Sequence, residues 1–276
     1  MAALSLFVLG LGYAYGAGRA WRSRGIGRVV SRGDAVRFGV AWLVLSAALL
    51  SPLEALSGRY LSAHMLQHLL LVVVAAPFLA TSGVGRAGLF VLPRAARLKV
   101  GRGLIAQLGG VRRGLANPIA ALASYVAVLW LWHAPVAYQA AMGGGLVHAL
   151  EHGTMLLVGC LFWASVLPAA GGTHRRAGAV AALLAASFAG GGLGALMTLS
   201  PVAWYPAYEA VAAATGGDAM RDQQLAGLLM WMPMGAVHAI AAVVVAGRWL
   251  RPGTARVAPV GAPSVASRFN TREAGA

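Results

Sequence analysis

The chain has 276 residues, 59 % of them hydrophobic and 11 % charged, with a mean hydropathy of +0.72. No water-soluble globular domain carries that balance. The 22 basic residues against 7 acidic ones give a formal charge of +15. They gather in the breaks between apolar runs instead of on one domain face, which argues against nucleic acid as a partner and for a lipid bilayer.

A hydrocarbon core of ~30 Å takes ~20 apolar residues to span. Taken in chain order, the segments 2–18, 36–51, 61–80, 117–133, 147–167, 178–200 and 224–247 are candidates, the second and fourth being short. The first has no basic residue ahead of it and no small-residue cleavage site, so it reads as a retained helix and not a signal peptide. Its Gly12 and Gly16 would let a neighbouring helix approach closely. Gly190, Gly191, Gly192 and Gly194 offer the sixth segment the same. The single cysteine, Cys160, falls inside an apolar run and reads as a packing residue. The fold class expected is all-α: a polytopic bundle of seven transmembrane helices over residues 1–250, then a disordered basic tail, 251–276.

The basic residues fix the orientation. Arg19, Arg22, Arg24, Arg28, Arg32 and Arg37 lie around the first connection. The third carries Arg86, Arg94, Arg97, Lys99, Arg102, Arg112 and Arg113, the fifth Arg175 and Arg176. Five arginines follow residue 247, whereas the even-numbered connections hold only Arg59 and Arg221. The positive-inside rule then places the N-terminus outside and the C-terminus in the cytoplasm.

That orientation sorts the 7 histidines by depth. The pair His64/His68 stands in the first two turns of the third segment, ~6 Å apart on one face. His133 ends the fourth segment, and His148, Glu151, His152 and Met155 open the fifth. All of these belong to the outer leaflet. Asp222, Gln223 and Gln224 open the seventh segment, where Met230, Met234 and His238 follow at greater depth. His174, beside Arg175 and Arg176, falls on the cytoplasmic side as a plain loop residue.

A lone histidine near a helix end reads most simply as an interfacial or hydrogen-bonding residue. An i, i+4 pair is different, because two imidazoles on one helix face can chelate one ion. Ionisable groups at membrane depth are costly and mark functional sites. Imidazole with thioether suits copper, and imidazole with carboxylate suits zinc. A bis-histidine haem is a further option for His68 with His152 or His133. The run His148-Ala149-Leu150-Glu151-His152 also fits the H-x-x-E-H pattern, in which Glu151 would be the general base of an intramembrane metal-dependent hydrolase. Against that, Glu151 lies ~100° around the helix from His152. A third possibility is an assembly scaffold without metal. Met230 and Met234 read as core, and Trp21, Trp130, Trp132, Trp204 and Trp249 as an aromatic belt.

The runs SPLEALS (51–57), AHMLQHLLLVVVAAPFL (63–79), LWLWHAPVAY (129–138), HALEHGTMLLVGCLFW (148–163) and DQQLAGLLMWMPMG (222–235) resemble the CtaG-like family of membrane cytochrome c oxidase assembly factors, over roughly residues 40–250. The resemblance implies a multi-pass protein of the bacterial plasma membrane, not an enzyme, that serves maturation of a haem-copper oxidase. Its implied partners are cytochrome c oxidase subunits and its implied cargo is copper. The family's histidines correspond to His64, His68, His133, His148 and His152, and its acidic-diglutamine stretch to Asp222, Gln223 and Gln224. The expected site is a transient metal centre of His64, His68, His148 and His152, with His133 and Met155 adjacent. Glu151 would support it and Asp222 would tune or gate access.

Overall fold

The computed structural model describes residues 2–107, 117–143, 145–167 and 173–250; the basic tail, 251–276, lies outside the described residues. Those residues form helices α1 (Ala2–Arg24), α2 (Arg32–Leu50), α3 (Pro52–Ser57), α4 (Leu61–Thr81), α5 (Val84–Leu89) and α6 (Arg94–Gln107). Then come α7 (Pro118–His133), α8 (Pro135–Met142), α9 (Gly145–Val166), α10 (Thr173–Leu199), α11 (Pro206–Thr215) and α12 (Ala219–Leu250). No strand occurs among the described residues. Local chemistry starts several of these helices. Ser31 and Asp34 form a reciprocal capping box on α2, and Ser51 caps α3 ahead of Pro52. Asn117 accepts the amide of Ile119 ahead of Pro118 in α7.

Helices α2, α4, α9, α10 and α12 are long and apolar enough to cross a bilayer, and α7 with α8 makes a sixth span if that bent pair counts as one. The pair turns by 70°. Ala134 adopts extended backbone ahead of Pro135, as a residue before proline prefers, so α7 stops at His133. Helix α1 has the length but not the apolarity, since Gly10, Gly12, Gly16, Gly18, Tyr13 and Tyr15 dilute its run. Outward-facing Phe188, Leu199, Ile240 and Val243 are exposed, as side chains turned towards lipid would be.

Helix α4 stands at the centre. It touches α2, α9 and α12, while α9 leans on α7, α7 on α10 and α10 on α12, closing a ring. Two features set its shape. Pro77 has no amide hydrogen, so the turns before it, Leu70–Ala75, widen to π geometry. In that i to i−5 pattern the carbonyl left without its amide is that of Val72, and the indole Nε1 of Trp163 donates to it at 2.8 Å. The second feature is the seam between α10 and α12. A Cβ on Gly194 would lie 2.6 Å from the carbonyl oxygen of Gly227, and one on Gly227 would meet Thr198 and the Gly194 backbone. The helices therefore touch backbone to backbone, as small-residue packing in membranes permits. Gly16 does the same for α1 against Ala87 of α5, whereas Gly12 and Gly192 face open space.

Candidate metal centre

His64 and His68 lie one turn apart near the start of α4, and both rings turn inward with 1 % and 2 % of their surface exposed. The start of α9 faces them and brings Glu151 and His152, both buried. One ligand atom from each of these four residues falls within 4.8 Å of all the others. Nε2 of His64 is 2.9 Å from Nε2 of His68, and Oε1 of Glu151 is 3.6 and 3.5 Å from those two nitrogens. Tetrahedral bonds of 2.0–2.2 Å set ligand atoms about 3.4 Å apart. The three distances among His64, His68 and Glu151 bracket that spacing.

Its hydrogen-bond accounting is incomplete in an informative way. Both carboxylate oxygens of Glu151, Nε2 of His152, Nε2 of His148 and Nδ1 of His68 are buried without a hydrogen-bond partner. A buried carboxylate lacking donors is expensive, and a cation or a proton is what offsets it. This donor set of three imidazoles and one carboxylate fits a transition-metal ion. Glu151 reaches the cluster although it points ~100° away from His152 around α9, because the α4 histidines lie between the two directions.

The remaining sequence candidates take other places. His148 sits at the rim, half-buried, its ring 4.3 Å from that of His152 and 5.3 Å from that of His64. His133 is buried on the far side of His68, with ring centroids 5.6 Å apart. Its Nδ1–H donates to the carbonyl of Leu129 at 2.7 Å, which leaves Nε2 as the lone-pair atom, 3.3 Å from the sulfur of Met65. Met155 belongs to the apolar core, outside the four converging residues. His238 is remote, buried and stacked on Trp163 at 5.2 Å, with Nδ1 bonded to the Met234 carbonyl. His174 is exposed at the start of α10.

Asp222 does not face the cluster. Its carboxylate accepts the amide of Leu61 at 2.6 Å and that of Ser62 at 3.3 Å, along with the Ser62 hydroxyl. The residue at the head of α4, Tyr60, offers no capping side chain, so α12 supplies the cap for the helix that carries His64 and His68. Asp222→Ala is expected to cost about 1–2 kcal/mol, the worth of a good helix cap. Thermal unfolding reads this directly, and an unchanged melting temperature would mean that α4 is held by other contacts.

Three tyrosines cover the cluster, and no sequence pattern pointed to them. Tyr138 of α8 packs on His64 at 5.2 Å, and its hydroxyl is 3.1 Å from that of Tyr208 in α11. Tyr208 donates to the carbonyl of Ser57, and Tyr205 to that of His133 at 2.8 Å. Met65, adjacent in sequence to His64, was also missed, since a methionine in an apolar run carries no signal of its own.

No curated protein and no solved structure matches this chain. The family model described as cytochrome c oxidase caa3 assembly factor matches residues 11–252, nearly all of it and every helix of the buried histidine cluster. The chain belongs to the cytochrome c oxidase caa3 assembly factor (CtaG) family.

Proposed function

We propose that this assembly factor binds copper transiently at the four-residue cluster and passes it to a cytochrome c oxidase subunit during maturation. The observation that carries the reading is the unpartnered, buried carboxylate of Glu151 and Nε2 of His152, converging with His64 and His68. Three imidazoles and a carboxylate supply four donors but none of the thiolates that mark permanent structural sites, which favours exchange over storage. His148, at the rim, is placed for entry or exit, and His133 with Met65 offers softer donors on the inner side. Zinc is the second metal these donors would take.

The membrane reading extends the same proposal. Helix α1 serves as a seventh span beside α2 and α5, with the N-terminus outside, the tail in the cytoplasm and the cluster in the outer leaflet of the bacterial plasma membrane. Supporting this, the cluster end of the bundle carries Arg59 and Arg221, while Arg28, Arg32, Arg37, Arg86, Arg94 and Arg97 belong to the opposite end. The protein acts as a carrier here and not as a hydrolase. Glu151 stands 3.5–3.6 Å from two imidazole nitrogens, the spacing of a fellow ligand.

Copper content of the purified protein tests the reading. Wild type is expected to hold about one equivalent, and His68→Ala with His152→Ala to hold almost none. Equal copper in both preparations would sink the site.

A further inference from the structure

A groove of about 890 Å³ runs along the outer side of α9, from Gly153 to the α4–α5 turn at the end of the bundle away from the histidines. One stripe of α9, continued by Leu167 just past its end, forms its floor: Gly153, Leu157, Cys160, Ala164 and Leu167. From Gly153 to Leu167 that stripe is about 21 Å long at 1.5 Å per residue. One leaflet supplies about 15 Å, half of a ~30 Å core, so the groove has room for an acyl chain and the glycerol above it.

The mouth of the groove is not apolar. Arg37 of α2 and Arg86 of α5 line it, with side chains 40 % and 57 % exposed, and between them lies the buried carboxylate of Asp34. Arg86 bonds Asp34 at 3.1 Å, while Arg37 bonds Asp34 and the carbonyl of Thr81. Two guanidiniums against one carboxylate leave a net positive charge, with donors still facing the groove. The turn is built around this arrangement. Gly83 has φ +70°, and a Cβ there would lie 2.7 Å from the Arg86 guanidinium.

We infer that this groove is a binding site for an anionic phospholipid, the phosphate held by Arg37 and Arg86 and one acyl chain lying along α9. A basic mouth on an apolar cleft between membrane helices is the pattern that selects anionic headgroups. A zwitterionic lipid would bring a second positive charge against the arginines, and a soluble phosphate would leave the apolar floor bare. The site is independent of the histidine cluster and needs no metal.

Native mass spectrometry of the full chain in detergent, with phosphatidylglycerol or phosphatidylcholine added at equal concentration, tests this. Wild type is expected to retain phosphatidylglycerol about tenfold better than phosphatidylcholine, each arginine near a headgroup contributing severalfold. Glycerol phosphate, the headgroup without chains, is expected not to bind. Arg37→Gln with Arg86→Gln should remove the preference. Ala164→Trp fills the exposed floor without touching a charge and should remove phosphatidylglycerol retention by itself. Equal retention of both lipids by wild type would overturn the proposal, and so would undiminished retention by Ala164→Trp or binding of glycerol phosphate alone.

Discussion

Glu151→Gln is expected to lower bound copper by at least about ten- to a hundredfold, the loss already caused by changing residues that only orient metal ligands, and to lower oxidase maturation with it. Glutamine keeps the shape of the side chain but removes the one negative charge among three imidazoles. It also places an amide where an oxygen now lies 3.5 and 3.6 Å from the nitrogens of His68 and His64. If the carboxylate is a ligand, excess copper in the medium restores oxidase activity, because mass action makes up for lost affinity. If it is instead a general base, the variant keeps its metal, loses its function, and no amount of copper repairs it. Copper per protein and oxidase activity in membranes, at low and high copper, separate these two outcomes. Wild-type copper with absent oxidase would reject the carrier reading in favour of base chemistry.

Much of this site was legible because helical spacing is a one-dimensional rule. His64 and His68 share a face by their separation alone, and charge placement put them, His133, His148 and His152 at one end of the bundle. What the rule does not carry is the direction in which each face turns. Glu151 reads as poorly aligned with His152 on its own helix, and only the opposing α4 makes them partners. Asp222 reads as a site residue because it is a carboxylate at the right depth, yet it spends both oxygens on the start of α4. Tyr205 and Tyr208 come from a turn and a short helix outside the apolar runs, so no pattern tied them to the histidines, and Tyr138 stood only as the last residue of the run around His133. The spans were legible to within a few residues where apolarity is dense. The 70° bend after His133 and the π turns before Pro77 both depend on proline removing or redirecting a backbone bond.

The seam between α10 and α12 sets the largest expected effect on stability. Gly227→Leu is expected to cost about 3 kcal/mol or more, at the upper end of what overpacking does. A new Cβ at that position meets Thr198 and the backbone carbonyl of Gly194, and backbone cannot step aside as a flexible side chain would. The helices must then separate, and α12 is also the element that caps α4 through Asp222. Loss of the seam therefore propagates to the helix bearing His64 and His68, so metal binding should fall together with melting temperature. Gly192→Ala, on the partner helix α10, is the matched control. Nothing lies within 4 Å of a Cβ there, so alanine should stabilise by about 0.5–1 kcal/mol through helix propensity alone. Thermal unfolding of both variants in one detergent decides the matter. A Gly227→Leu protein that melts like wild type would show that the two backbones are not in contact.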